Sequence, residues 1–346
     1  MVGSDTAGGR ATIYDIAKLA GVNPSTVSRA LGHQPGVSVE TRKLVEDAAA
    51  QLSFRVSPLA RALPTGRTGT VGLIVADITN PSYFDMIRGA QSAAAARGLT
   101  LVLAESSESG STESVVAQRI QPSTDGIILA SPRMSDPEIR ELNKAKPVVV
   151  INRSVEGIES VVPDIEPGIR DAVRHLAANG HTRFAFLAGP GQSWISARRW
   201  DSFREACEWA GRTAQPIPTL APTLEGGRRA AGEVLASRAT AALCYNDLLA
   251  IGLMRELQAA GVKVPDEFSV VGFDNIFGSD FTTPTLTSIA SPFKECGATA
   301  LQRLLASRQG TEGSPHGVRS TPLRVSPMRT TLIVRGSSGR LLAPST

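Results

Sequence analysis

Two short segments near the start of the chain place apolar residues at the spacing of an α-helix. Thr12, with Asp15 three residues later, is suited to begin the first helix, and Gly21 is suited to end it. Asn23 caps the second helix, and Pro24 takes its first position, where a missing N–H costs nothing. The apolar faces are Ile13, Ile16, Ala17 and Ala20, then Val27, Ala30 and Leu31. Two helices joined by so short a turn form the helix-turn-helix pattern.

A third helix is predicted from its N-cap Ser38 to about Ser53. Packed over the first two helices, its apolar stripe would close a small three-helix core near the size limit for independent folding. The stripe is expected to contain Val39, Leu44, Val45, Ala48 and Leu52.

Beyond about residue 70, short apolar strands alternate with helical segments, as is typical of parallel sheets flanked by helices. Predicted strands lie at 71–76, 99–104, 126–130, 148–151, 184–187, 241–245, 269–273, 286–289 and 331–334. Predicted helices lie at 81–97, 112–120, 137–142, 165–179, 195–210, 247–261 and 292–307. The first of these helices is expected to face the core with Phe84, Ile87, Ala90 and Ala94. A break near 161–163 predicts two similar α/β lobes after the all-α headpiece.

The outward residues of the second helix are small except for one arginine, so this helix could enter a DNA major groove about 12 Å wide. The alternative is an ordinary helical hairpin with a polar face. The candidate DNA-binding residues of the headpiece are Thr12, Tyr14, Asn23, Pro24, Ser25, Thr26, Ser28 and Arg29.

A possible hinge helix follows at 57–63, where Ser57 is an N-cap and Pro58 occupies the first position. It is only about two turns long, and isolated helices of this length are marginal in water. We therefore expect the segment at 57–63 to be helical only when a binding partner stabilises it. The alternative is a flexible linker between the domains. Arg61 and Leu63 are its candidate DNA contacts, and Pro64 ends it without an N–H to donate.

Charge and composition favour a nucleic-acid partner over a membrane. The net charge is +4. Residues 1–67 account for +3 of it, because they contain eight Lys and Arg residues and five Asp and Glu residues. Three isolated cysteines (Cys207, Cys244 and Cys296) give neither a disulfide framework nor a zinc spacing. The first residues contain no signal-peptide core, and no apolar run approaches the roughly 20 residues of a membrane span. We expect a cytoplasmic protein with no metal, no cofactor and no membrane partner.

Ligands of open parallel sheets bind beyond the carboxyl ends of the strands. Aromatic, amide, carboxylate and guanidinium groups follow several predicted strands, and together they suit a sugar or related polyol. The alternative is that strand-end Asp and Asn residues cap the following helices, which we favour for Asp247. The candidate ligand-binding residues are Asp77, Tyr83, Phe84, Asn152, Trp194, Arg199, Asn246 and Asp274.

Residues 12–31 resemble the headpiece of the lactose-repressor (LacI/GalR) family of bacterial transcription regulators. The family pattern is T-x-x-D-I/V-A-x-x-A-G-V-S-x-x-T-V-S-R-x-L, and this chain departs from it only at Asn23, which replaces the usual serine. In that family the leucine that matches Leu63 wedges between base pairs in the minor groove. Pro64 stands where related repressors often place a residue able to donate a hydrogen bond.

The rest of the chain is similar to the effector domain of the same family, which is like periplasmic sugar-binding proteins. Matching stretches are Asn80-Pro81, Asp125-Gly126-Ile127-Ile128, His175-Leu176 with Gly180-His181, Leu187-Ala188-Gly189-Pro190, Asn246-Asp247 and Gly272-Phe273-Asp274. The resemblance implies effector contacts at Arg199, Asn246 and Asp274. Asn152 stands where relatives often have Asp, and Ser202 where they usually have Gly.

This resemblance implies a division of the chain by function. A disordered tail is expected at 1–11, a helix-turn-helix DNA-binding domain at 12–56, a hinge helix and linker at 57–69, and an effector-binding and dimerisation domain at 70–346. Lobe 1 would comprise about 70–162 and 291–325, and lobe 2 about 163–290 and 326–340. Cross-subunit contacts are expected from the helix at 83–97.

The sequence therefore predicts a homodimeric repressor that binds operator DNA under the control of a sugar-like effector held between two lobes. No common nucleophile, phosphate-loop or zinc-protease motif is present, and His175 and His181 are expected to be structural, so an enzyme is not expected. The alternative is a soluble carbohydrate-binding protein, or a sugar-acting enzyme, with an unrelated helical appendage.

Overall fold

The computed structural model describes residues 11–32, 35–52, 54, 67–309 and 328–342. They form two compact units that divide between Gly69 and Thr70. The predicted hinge helix, with Arg61, Leu63 and Pro64, lies outside the described residues, as does the predicted tail apart from Ala11.

The first unit contains three helices around one small core. They are α1 (Ile13–Ala20), α2 (Pro24–Leu31) and α3 (Val39–Gln51). Gly21 ends α1 with a φ of 66°, the left-handed conformation that glycine adopts at least cost. The buried residues are Ile16, Ala17, Val27, Ala30, Val45, Ala48 and Ala49.

Four details of the headpiece prediction were wrong. Ile13, expected on the inward face of α1, is 36% exposed and lies outside the core. Val39 is 85% exposed at the start of α3, and Leu44 is 56% exposed. Leu44 lies about 100° around the helix from the buried Val45 and so faces away from the core. The core is too small to cover both faces, and Ala49 is buried instead. Asn23 occupies the N-cap position of α2, but its side chain forms no capping hydrogen bond.

The second unit begins with a five-stranded, wholly parallel sheet in the order β2-β1-β3-β4-β5. Its strands are β1 (Thr70–Val75), β2 (Thr100–Glu105), β3 (Ile127–Ala130), β4 (Val148–Ile151) and β5 (Glu159–Val161). Its helices are α4 (Ser82–Ala95), α5 (Gly110–Ile120), α6 (Asp136–Ala145) and α11 (Phe293–Gln309). Helices α4 and α11 pack on one face, whereas α5 and α6 pack on the other.

A six-stranded sheet follows in the order β11-β10-β9-β8-β6-β7. Its strands are β6 (Arg183–Leu187), β7 (Thr213–Ile217), β8 (Ala241–Cys244), β9 (Ser269–Asp274), β10 (Thr287–Ala290) and β11 (Thr331–Ile333). Its helices are α7 (Glu166–Ala178), α8 (Trp194–Trp209), α9 (Leu224–Ala236) and α10 (Asp247–Ala259). Only β11 pairs antiparallel, so the predicted class of two helix-flanked parallel sheets is confirmed.

Two strands, one α-helix and a 3-10 turn at Gln121–Ser123 were not predicted. Strand β5 has only three residues, and β7 is a largely exposed edge strand that contains Pro216. Helix α9 contains three glycines, which have low helix propensity. In α4, the expected inward position of Phe84 was wrong: Phe84 is 40% exposed, whereas Tyr83 and Met86 are buried.

Two segments that cross between the lobes are bonded to each other. The Asp164 N–H donates to the Met328 carbonyl at 2.9 Å, and the Thr330 N–H donates to the Asp164 carbonyl at 3.0 Å. The Gly168 N–H donates to the Thr330 hydroxyl oxygen at 3.2 Å. These bonds join the start of α7 to the segment that leads into β11.

Candidate nucleic-acid interface and ligand site

The N-terminus of α1 is fixed by a reciprocal capping box. The Asp15 carboxylate accepts from the Thr12 N–H and the Thr12 hydroxyl, both at 2.7 Å, while the Asp15 N–H donates back to the Thr12 hydroxyl oxygen. These bonds lower the pKa of Asp15. Next to this cap, Tyr14 is 72% exposed.

The outward face of α2 is polar and accessible. Ser25, Ser28 and Arg29 are exposed, while Pro24 and Thr26 are half-buried. Neither the Tyr14 nor the Arg29 side chain forms a hydrogen bond or ion pair with another described residue, so both remain available to a partner.

In the second lobe, a buried ion pair joins the carboxyl end of β9 to helix α8. Arg199 Nη2 donates to Asp274 Oδ1 at 2.7 Å, and the two side chains are 3% and 5% exposed. Burial raises the pKa of the Asp274 carboxyl, and Arg199 opposes that rise. Arg199 also donates to the Tyr245 carbonyl, and its guanidinium carbon lies 3.6 Å from the Phe273 ring centroid. Its buried Nε has no hydrogen-bond partner among the described residues.

Asn246 and Asp247 stabilise the start of α10. Asn246 Oδ1 accepts from the Leu249 N–H, and its Nδ2 donates to the Pro222 carbonyl, both at 2.9 Å. The cap is therefore Asn246 and not Asp247, which accepts hydrogen bonds from Ile276, Ser279 and Ser288. Burial raises the pKa of Asp247 to about 7; Asp274 adds to the rise, and the hydrogen bonds oppose it.

The first lobe contributes a cluster at the carboxyl ends of β3 and β4. Asn152, with a φ of 61°, donates through Nδ2 to the Ser131 hydroxyl at 3.1 Å. Its buried Oδ1 has no hydrogen-bond partner within the described part of the chain. Burial raises the pKa of the Tyr83 phenol, and a hydrogen bond with Ser131 opposes the rise.

Two other candidate ligand-binding residues, Asp77 and Phe84, lie outside these two clusters. The Asp77 carboxylate accepts from the Thr79 N–H at 2.8 Å and from the Thr79 hydroxyl at 2.6 Å, so it organises its own loop. Phe84 is 40% exposed.

Sequence reasoning missed an arginine–glutamate pair. Arg133 Nε donates to Glu108 Oε2 at 2.8 Å, and the Arg133 side chain is 2% exposed. Glu113, itself buried, accepts from the N–H groups of Arg133 and Met134 and so fixes this loop. The signal that could have found them is their position, because Glu108 follows β2 and Arg133 follows β3.

A cavity of about 800 Å³ lies between the lobes. The first lobe supplies Glu108, Arg133, Arg153 and the starts of α5 and α6, and the second supplies the segment before α8 and Trp194. Ser193 lines the cavity, and its hydroxyl lies 3.4 Å from that of Tyr245, whose carbonyl accepts from Arg199. The cavity and the Arg199 cluster therefore share a wall.

His175, His181 and the three cysteines have structural places in the fold. His175 bonds to Ser338 at 2.9 Å, and His181 bonds to Thr240 and Gly339, so their predicted structural role is confirmed. Cys207, Cys244 and Cys296 are buried and unpaired with one another. Among the described residues, no cluster of His, Cys, Asp and Glu could hold a metal, and no helix is long and apolar enough to cross a membrane.

The chain is similar to known proteins along most of its length. Residues 12–57 match the family described as bacterial regulatory proteins, lacI family, and residues 173–338 match the periplasmic binding protein-like domain. Catabolite control protein A of Priestia megaterium is 31% identical, over 91% of this chain and 97% of that protein. The HTH-type transcriptional repressor CytR of Escherichia coli strain K12 is 32% identical, over 87% and 90%.

Among solved structures, the lac repressor dimer bound to operator and the anti-inducer ONPF has a TM-score of 0.82 and 25% identity. The match covers 96% of this chain and 100% of that one. The matching proteins are regulators, so the expectation that the chain is not an enzyme is confirmed.

Proposed function

The chain belongs to the lacI family of bacterial regulatory proteins, and from that premise we propose that it is a repressor whose affinity for operator DNA is controlled by a sugar-like effector. The effector binds between the two lobes. The observation that carries this proposal is the polar cavity of about 800 Å³ beside the buried Arg199–Asp274 pair. The chain then divides into a DNA-binding domain at 12–56, a hinge and linker at 57–69, and an effector-binding and dimerisation domain at 70–346.

The exposed face of α2 reads the major groove. Ser25, Thr26 and Arg29 contact base edges or phosphates, and Pro24 makes an apolar contact such as one to a thymine methyl. Thr12, Tyr14, Asn23 and Ser28 border the same face and add phosphate contacts. In the hinge, Arg61 and Leu63 act in the minor groove, where an apolar side chain can open a base step.

Effector contacts come from both lobes. Arg199, through its free Nε, and Asn152, through its free Oδ1, offer one donor and one acceptor to a hydroxylated ligand. Asp274, Tyr83 and Trp194 complete the nearest set. The effector contacts of Asn246, Asp77 and Phe84 are expected to be weaker. Asn246 and Asp77 already use their polar groups in hydrogen bonds within the fold.

The protein acts as a homodimer in the cytoplasm, where its free cysteines stay reduced. Two headpieces then reach half-sites about one helical turn apart. Effector binding changes the relative position of the lobes and hence of the hinge segments; coupling of roughly 1–3 kcal/mol is typical of linked sites.

The test is a titration of the full chain against DNA from upstream of its own gene, between about 50 and 200 mM salt. Affinity is expected to fall steeply with salt. Arg29→Ala is expected to weaken binding by about 1–3 kcal/mol, while leaving effector affinity intact. Arg119→Ala, which removes an exposed arginine outside the headpiece, is the matched control. Equal binding by wild type and Arg29→Ala, or loss of effector binding as well, would contradict the proposal.

A further inference from the structure

A second pocket, of about 500 Å³, lies within the second lobe between α7 and α8. Its volume falls in the range of roughly 300–1,000 Å³ that is typical of small-molecule sites. It shares no lining residue with the cavity between the lobes, so it is a separate place in the fold. The lining residues are Glu166 and Arg170 of α7, with Ser202, Glu205, Ala206 and Trp209 of α8.

The residues that α8 contributes recur at the spacing of one helical face. Ser202 is followed three residues later by Glu205, four later by Ala206 and seven later by Trp209, which places all four on the same side of the helix. Ser202 and Ala206 are small and one turn apart, so neither side chain fills the space against α7. The pocket is therefore a gap between two packed helices with a carboxylate and an indole beside it.

Ser202 brings a buried hydroxyl to this pocket. The residue is 8% exposed and lines the pocket. A serine inside a helix can donate to the carbonyl of the preceding turn, but the Ser202 hydroxyl forms no hydrogen bond with any residue that the structure describes. Leaving a buried hydroxyl without a partner is unfavourable, and a molecule in the pocket would supply that partner.

The charges around the pocket favour a cation. Two carboxylates and one guanidinium line it, and Arg170 is paired with Glu166 at 3.4 Å. Glu205 has one ion-pair contact among the described residues, Arg204 at 4.0 Å, and Arg204 donates more closely to Glu208 at 2.7 Å. The charge of Glu205 is therefore the one that a ligand can neutralise.

Trp209 supplies the remaining recognition surface. It is the one aromatic residue among the described lining residues, and it is 85% exposed. An indole face attracts a cation within about 6 Å of the ring centroid, and it also packs against apolar groups. Because Trp209 lies one turn beyond Glu205, a cation held by the carboxylate can keep its apolar part against the indole.

We propose that the pocket between α7 and α8 binds a small organic amine, an ammonium group carried on an apolar body. The ammonium donates to the Glu205 carboxylate and to the Ser202 hydroxyl oxygen, while the apolar body packs against Trp209 and Ala206. This site is distinct from the effector site between the lobes.

The first test is calorimetric titration of the full chain with phenethylamine and three matched compounds. 2-Phenylethanol replaces the ammonium with a neutral hydroxyl, phenylalanine adds a carboxylate, and trimethyl(2-phenylethyl)ammonium keeps the charge but has no N–H to donate. Phenethylamine is expected to bind about tenfold or more tightly than each of the three, because only its ammonium makes charge-assisted hydrogen bonds without adding an anion.

Substitutions then assign the binding to this pocket. Ser202→Ala and Glu205→Gln are each expected to weaken phenethylamine binding about tenfold, since each removes one partner of the ammonium. Trp209→Ala is expected to weaken binding of all four compounds, because they share the phenyl group. Ser92→Ala in α4 and Glu233→Gln in α9, at exposed positions outside the pocket, are the matched controls and should leave binding unchanged.

Three results would overturn the inference: phenethylamine does not bind, one of the three matched compounds binds as tightly, or Ser202→Ala and Glu205→Gln bind phenethylamine as wild type does. DNA binding by the same protein is measured in parallel. Failure of amine binding with DNA binding intact rejects this site alone, whereas failure to bind DNA rejects the proposed repressor and leaves the amine measurement to stand by itself.

Discussion

At the scale of single residues, the environment of Arg199 explains what sequence could and could not predict. Arg199 and Asp274 were found because side chains at the ends of parallel strands converge. The sequence could not reveal that the two form a buried pair flanked by Phe273, since this depends on side-chain packing between β9 and α8. Arg133 follows β3 and carries the same strand-end signal, but its role depends on Glu108, which follows a different strand, β2.

Asp274→Asn is expected to lower effector affinity at least tenfold while DNA binding is retained, because the ligand loses a charged acceptor. Asp274→Ala should also abolish the effector response, but it leaves Arg199 buried without its partner, a change that costs about 3–5 kcal/mol. Calorimetry and DNA titration on the two variants separate these effects. An unchanged response in both variants would remove Asp274 from the site.

Asp247 predicts a pH dependence of stability. Its pKa is raised to about 7 in the folded protein, against about 3.9 when unfolded. Between these values the folded state holds a proton that the unfolded chain has lost, so the free energy of unfolding decreases as pH rises and levels off above about 7.

Asp247→Asn removes this contribution. Relative to the variant, wild type is expected to lose at most about 1.4 kcal/mol per pH unit across that window, measured by urea unfolding at several pH values. Asp266→Asn, at an exposed carboxylate, is the control. Parallel pH curves for wild type and Asp247→Asn would show the interpretation to be wrong.

At the scale of elements, glycines allow helices to pack at backbone contact. A Cβ on Gly297 in α11 would lie 2.0 Å from the Met86 carbonyl oxygen in α4, and one on Gly89 would lie 1.9 Å from the Lys294 carbonyl oxygen. Both helices were predicted from periodicity, but their close approach was not, because one sequence does not distinguish a packing glycine from a tolerated one. Helix α9 was not predicted because its three glycines could not be recognised as packing residues from the sequence.

Gly297→Ala is expected to destabilise the protein by about 1–3 kcal/mol, because the carbonyl cannot move away from the added methyl without shifting α4. Gly232→Ala in α9 is the matched control. Its Cβ would meet nothing within 4 Å, so alanine should stabilise that helix by about 0.5–1 kcal/mol. Urea unfolding followed by circular dichroism measures both, and equal effects of the two substitutions would contradict the packing argument.

At the scale of the whole molecule, we expect the second lobe to meet another copy at two exposed aromatic residues. Phe277 and Phe281 are 75% and 70% exposed, and their rings stack edge to face with centroids 5.0 Å apart. Apolar surface of this kind marks an interaction site when it is contiguous. A contribution from the helix at 83–97 stays a prediction.

Phe277→Asp with Phe281→Asp is expected to give a monomer in sedimentation experiments, because two carboxylates cannot be buried unpaired at an interface. Operator affinity should then fall by about 100-fold or more, since one headpiece no longer brings the other to its half-site. Trp209→Asp, at an exposed tryptophan of α8, should stay dimeric. A dimeric double variant would place the interface elsewhere.

The bonds between the crossing segments have a consequence for how the two lobes can respond to a bound ligand. Because Asp164 is bonded to both Met328 and Thr330, these two connections cannot slide past each other without breaking backbone hydrogen bonds. We therefore expect the lobes to move by turning about this bonded pair, which lies beside the third connection between β10 and α11 in the chain order. With such an axis, a small closure around a ligand would produce a larger displacement at the far end of the first lobe, in proportion to the distance from the axis.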